Sequence, residues 1–187
     1  MGTVRIYLLL ALAVLPAFAI AASPYVISGL STDLVFTEAV AQAEKLGGDC
    51  QLAASRNDDG GTSAQCEYRH CPQGGPSAGC DQPHPDKPAL TIAAQPILKI
   101  GLEAPGEEAH LSRIVFLFEG DAAAVALDLR QKFGAPDRDG AAESAQSWSN
   151  SRRLSWKQGD YRLGLVDSPQ LIIMAVDRAE AAAPPLP

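Results

Sequence analysis

Residues 113–136 read RIVFLFEGDAAAVALDLRQKFGAP, and this stretch decides the fold. Arg113 to Phe118 alternates nothing: it is apolar on both faces, which predicts a central strand over Ser112 to Glu119. Gly120 breaks the run. Asp121 then supplies a capping carboxylate, and Val125, Leu129 and Phe133 recur at a spacing of four residues. Arg130 and Lys132 stand where the helix dipole favours cations, Gly134 stops the helix, and Pro136 lies just beyond it.

Downstream, the pattern predicts a three-stranded meander: Gln146 to Trp156, Tyr161 to Val166 and Leu171 to Val176, joined at Gln158-Gly159-Asp160 and Asp167-Ser168-Pro169-Gln170. Upstream, Ile97 to Glu103 reads as a strand. Residues Cys71 to Pro96, rich in Pro and Gly, read as an irregular insertion, and the acidic runs Glu103 to Glu108 and Asp137 to Glu143 read as solvated loops. Before the insertion, Cys50 to Ala54 and Ser63 to His70 read as strands, and Thr37 is placed to cap a helix from Glu38 to Leu46, stopped by Gly47-Gly48. Gly29-Leu30-Ser31, a helix and Leu46-Gly47-Gly48 are echoed by Gly120-Asp121-Ala122, a helix and Phe133-Gly134-Ala135-Pro136, which suggests a degenerate tandem repeat of helix plus strands. The expected class is α+β, with two helices packed on one face of an antiparallel sheet and disulfides stapling it.

The ends of the chain read differently. Arg5 precedes an apolar run from Ile6 to Ile20 that Pro16 interrupts, and Ala19-Ile20-Ala21 offers the small-x-small pattern of a signal peptidase site. Residues 1–21 are thus expected to be a secretory signal, with cleavage after Ala21 or Ala22, 22–178 a single domain, and the Ala/Pro tail 179–187 disordered. The run is short for a membrane span, so a periplasmic or secreted protein without stable membrane insertion is expected. Export makes disulfides the expected state of Cys50, Cys66, Cys71 and Cys80. Asn57-Asp58-Asp59-Gly60-Gly61 lies midway between the first two and would fold them opposite each other, leaving Cys71 with Cys80.

With 15 Lys and Arg against 22 Asp and Glu, the net charge of the 187 residues is -7. No basic field exists to recruit nucleic acid.

Gly120, Val125, Phe133-Gly134-Ala135-Pro136 and Trp148 together resemble the Gly-x-x-x-x-Val, Leu-Gly-x-Pro, Trp pattern of small bacterial envelope domains of the BamE (SmpA/OmlA) type and of related β-lactamase-inhibitor-like folds. The resemblance implies helices against an antiparallel sheet, and a role in holding other envelope proteins or inhibiting an enzyme. The Met-Thr that usually follows the glycine is Asp121-Ala122 here, and no cysteine stands where the family carries its lipid.

Three constellations bear on chemistry. Gly75-Pro76-Ser77-Ala78-Gly79 followed by Asp81 and His84 matches the order of an α/β-hydrolase triad, but a nucleophile elbow needs a strand before the serine and a helix after it, and this serine lies in a Pro/Gly loop. His70, Asp81, His84 and His110 offer imidazole and carboxylate for zinc or copper, without a spacing that organises them in advance. Trp148, Arg152, Arg153, Trp156, Lys157, Tyr161 and Arg162 cluster on the C-terminal hairpin, and Trp, Tyr and Arg are the residues that dominate binding hot spots. Alternation puts Trp148, Arg152, Leu154 and Trp156 on one face and Arg153 and Lys157 on the other; the tryptophans can equally pack under the second helix. The expectation is a non-catalytic envelope protein, without cofactor or metal, that binds another periplasmic protein through the Trp/Arg set or the Cys71 to Cys80 loop. A small hydrolase or metal protein using that loop, and a binder of cell-wall fragments or small ligands through the Trp/Arg face, stay as alternatives.

Overall fold

The computed structural model describes residues 23–53, 61–70, 82–83, 90–118, 120–141, 152–167 and 172–179. In chain order the elements are α1 (Phe36–Lys45), β1 (Asp49–Ala53), β2 (Thr62–Glu67), β3 (Arg69–His70), β4 (Gln82–Pro83), β5 (Thr91–Ile92), β6 (Gln95–Ala104), β7 (Arg113–Phe118), α2 (Ala122–Phe133), β8 (Arg138–Ala141), β9 (Arg152–Gln158), β10 (Tyr161–Asp167) and β11 (Ile172–Arg178). Strands β3 and β4 pair with each other. The others form one sheet in the order β1-β2-β6-β7-β11-β10-β9-β8, with β5 folded onto β6, and every pairing is antiparallel.

This order corrects the expected class. About half of the described residues are in strands, and the helices contribute only ten and twelve residues, so the protein is mainly β rather than α+β. The difference has a local cause. Segments rich in Pro, Gly and charge, which read as loop, in fact pair: β6 begins at Gln95 inside the expected insertion, and β8 forms within the acidic run Asp137 to Glu143. Ladder bonds supply the missing reason, since the Asp137 N–H donates to Ser155 O at 2.8 Å and the Asp137 carboxylate takes the Lys157 N–H at 2.5 Å.

The apolar run of β7 is central, as its composition predicts, but among the described residues it is covered on one face only. Ile114, Phe116 and Phe118 are fully buried, together with Ile100 and Leu102 of β6, Leu163 and Leu165 of β10 and Met174 of β11. Val115 and Leu117, on the opposite face, are half-buried. Period-two burial on β10 and β11 repeats this division, so one face of the sheet is core and no described element lies over the other.

Three pieces of chain cover the core face. The first, α1, buries Phe36, Ala39 and Ala43. It begins at Phe36 rather than at Glu38, before the cap that Thr37 suggests: Val35 occupies the N-cap without a side-chain bond, and the Phe36 N–H is held instead by Ala109 O at 2.9 Å. The second, α2, follows its sequence signals. Asp121 accepts from the Ala123 N–H at 2.8 Å, and Gly134, at φ 83°, ends the helix with its N–H on Arg130 O. Gly120 is required at the entry by its φ of 122°, a region that L side chains rarely adopt; a Cβ there would also displace the Gln95 amide, whose Oε1 accepts the Asp121 N–H.

The third piece is the lead before α1. Tyr25, Ile27, Leu30 and Thr32 are all buried, and the Tyr25 ring meets Phe133 edge-on with centroids 5.2 Å apart. Asp33 anchors it. One carboxylate oxygen takes the Ser23 N–H, the other takes the Tyr161 hydroxyl at 2.9 Å, and the Asp33 carbonyl accepts from His110 Nδ1 at 2.6 Å. Burial, with the Asp33 hydrogen bond behind it, raises the pKa of the Tyr161 hydroxyl.

Cys50 and Cys66 are direct partners across β1 and β2 and form a disulfide, as the turn between them predicts. Cys71 and Cys80 lie outside the described residues, as do the leader and nearly all of the tail. Replacing Cys50 and Cys66 together by alanine is expected to cost about 3 kcal/mol of unfolding free energy, the chain-entropy value for a loop of this size. Denaturant unfolding of the double variant checks it; an unchanged midpoint would show that the bond contributes nothing.

Candidate functional site

No described element lies over the other face of the sheet, and strand register defines what that face presents. Gly101, Val115, Ala175, Gly164 and Ser155 are successive Cα partners across β6, β7, β11, β10 and β9, and Arg138 of β8 ends the row. The floor is small. On one side of it run Leu117, Ile173, Val166 and Arg153, and on the other Arg113, Asp177, Arg162 and Lys157, again in register. Side chains rise at both margins over a low centre, which leaves a trough of about 960 Å³ over β7 to β11.

Gly164 sits on the floor of that trough. A Cβ added there would meet no heavy atom within 4 Å. Its backbone needs no glycine, since it has no positive φ, yet glycine within a strand costs roughly 0.5–1 kcal/mol relative to alanine and marks places where another chain approaches.

The expected Trp/Arg set is divided by the sheet. Arg153, Lys157 and Arg162 line the trough. Trp156 is 2% exposed on the core side, its Nε1–H donating to Gly134 O at 2.9 Å, so it ties β9 to the end of α2 and is not presented to a partner. Tyr161, 6% exposed, faces the same way and holds Asp33, with the Arg178 guanidinium 5.7 Å from its ring centroid. Arg152 binds Asp139 through Nε at 2.8 Å and Nη2 at 2.7 Å, and Arg130 of α2 reaches the same carboxylate at 2.9 Å. Those hydrogen bonds from Arg152, then the charges of Arg152 and Arg130, hold the Asp139 carboxyl below the usual carboxylate range. Trp148 lies outside the described residues.

Of the hydrolase and metal candidates, Ser77, Asp81 and His84 lie outside the described residues, and His70 belongs to the short strand β3. His110 is spent on the Asp33 carbonyl. Among the described residues no three His, Cys, Asp or Glu side chains are grouped to hold a metal ion, and no helix is long and apolar enough to cross a membrane.

The floor residues carry a signal that sequence reading passes over. Gly101, Gly164 and Ala175 are small residues inside strands, but only the register shows that they are neighbours. No family model, curated protein or solved structure matches the chain, so function is read from this face itself.

Because the space above Gly164 is open, Gly164→Thr is expected to stabilise the fold by about 0.5–1 kcal/mol, through lower unfolded-state entropy and better strand propensity. A urea titration checks it. Destabilisation would mean that the floor is packed rather than open.

Proposed function

We propose that this protein is an exported, non-catalytic binding module that receives another protein on the uncovered face of its sheet. The observation that carries the reading is the trough itself: a broad antiparallel face, low at Gly164 and Ala175, walled by long side chains and covered by no described element. Ordinary antiparallel sheets also turn one face to water, but the residues on that face are then mostly polar. Here Val115, Leu117, Val166, Ile173 and Ala175 form a contiguous apolar band across the central strands, the kind of surface that marks an interaction site.

Export is supported by the leader pattern of residues 1–21 and is consistent with the Cys50–Cys66 disulfide, since such bonds persist in oxidising compartments. The resemblance of Gly120 to Pro136 to BamE-type envelope domains points toward the same kind of role. The Trp/Arg set is narrowed in one respect: Arg153 and Arg162 belong to the proposed surface, whereas Trp156, Tyr161 and Arg152 serve the core side.

A photo-crosslinking residue at Val166, on the trough, is expected to trap one discrete protein in cells that export the chain, and the same residue at Leu127, exposed on α2, is expected to trap none. Gly164→Leu fills the floor and should remove the Val166 adduct while leaving the unfolding transition intact. Equal adducts at both sites, or an adduct indifferent to Gly164→Leu, would contradict the reading.

A further inference from the structure

We propose that the partner presents an acidic loop to this face, its carboxylates meeting the cations of β8, β9 and β10 and its apolar side chains resting on Val166 and Ile173. The proposal rests on the protein-binding reading above and adds the chemistry of the partner.

Arg138, Arg153, Lys157 and Arg162 all line the trough and all are exposed or nearly so. Among the described residues none of the four has a carboxylate at ion-pair distance. That sets them apart from the cations around them: Lys99 is paired with Glu67 at 2.9 Å, Arg113 with Asp177 at 3.2 Å, Lys132 with Asp128 at 2.7 Å, and Arg130 and Arg152 share Asp139.

Their placement is specific. Arg153 and Lys157 stand four residues apart on β9 and on the same face, about 13 Å along the strand. Arg162 is the direct partner of Lys157, and Arg138 is the partner of Ser155, midway between the two β9 cations. The four therefore form an arc around Ser155 and Gly164. Nearby carboxylates do not pair with it: Asp177, the cross-strand partner of Arg162, is paired with Arg113, Asp137 receives the Lys157 backbone N–H, and the Asp139 carboxylate is turned to the core side, where Arg130 and Arg152 hold it. In a chain of net charge -7, four gathered cations repel one another and are relieved when an anion arrives.

The far end of the same face has the opposite sign. Asp49 and Glu67 lie on β1 and β2 in the row that contains Arg153, and Glu103 lies on β6 in the row that contains Arg162; Lys99 answers only Glu67 among them. A polarised face admits one orientation of its partner and rejects the reverse. An anionic glycan or lipid surface would meet the cations too, but it has no apolar side chains to set on Ile173 and Val166 and would be repelled by the acidic end; a protein loop satisfies both parts.

The test uses the oxidised, exported form of the chain and a fluorescent peptide in which aspartate alternates with leucine, beside its asparagine analogue. Polygalacturonate and phosphatidylglycerol vesicles represent the other anions. The acidic peptide is expected to bind, to weaken about fivefold between about 50 and 300 mM salt as screening tightens, and to lose about tenfold in Arg153→Gln with Lys157→Gln. Lys45→Gln, exposed on α1 and away from the trough, should leave binding unchanged, and circular dichroism confirms that each variant is folded. Equal binding of the asparagine analogue, or no binding of the acidic peptide at about 1 mM, would overturn the acidic-loop proposal while the Val166 crosslink still stands or falls separately. Polygalacturonate or vesicles binding more tightly than the peptide would overturn it in favour of a polyanion.

Discussion

Strands β7 and β11 pair in register from Phe118 against Ile172 to Arg113 against Asp177, and this antiparallel seam joins what would otherwise be two separate four-strand meanders. On one side run β1, β2, β6 and β7; on the other, in reverse order, β8, β9, β10 and β11, each set preceded in the chain by a helix. Without the seam each half would end in an unpaired edge of apolar strand, a template for misassociation. With it, Phe116, Phe118, Met174 and Val176 share one core, and the exposed edges of the sheet fall to the short strands β1 and β8. The lead before α1 secures the join from the core side, since Asp33 bonds Tyr161 of β10 and Tyr25 packs on Phe133 of α2.

The open face follows from how the cover is spent. Two short helices and one turn-rich lead cover a single side of so wide a sheet among the described residues, and all three lie against the residues at alternate positions that include Phe116, Leu163 and Trp156. Val115, Leu117, Val166 and Ile173 are left on the other side. The two sides differ: the core side holds Trp156, Tyr161 and the Asp139 network in place, while the other side carries small residues, an apolar band and four cations with no carboxylate at ion-pair distance among the described residues.

Local signals are legible in the sequence where they are strong and close together. Asp121, the spacing of Val125, Leu129 and Phe133, and Gly134 locate α2, and the Asn/Asp/Gly turn locates the Cys50–Cys66 bond. The class is not legible in this way, because punctuation by Gly and Pro is local whereas strand pairing is not. Nothing in Arg138 to Ala141 itself announces a strand; it becomes one because β9 offers a ladder and Arg130 and Arg152 hold Asp139 beside it. The site is legible in part for the same reason. Alternation separates Arg153 and Lys157 from Trp156, but the trough depends on Gly164 lying beside Ala175 and Ser155, which is a fact of register between strands.

If this face receives a protein, as proposed, it is covered in the compartment where the chain works. Hydroxyl-radical footprinting of the chain in intact cells, compared with the purified protein, reads that cover directly, whichever protein supplies it. Strong protection of Leu117, Val166 and Ile173 is expected in cells, with Val26 and Leu127, exposed away from the trough, oxidised equally in both samples. Equal oxidation of the trough residues in cells and in isolation would contradict a binding role for this face.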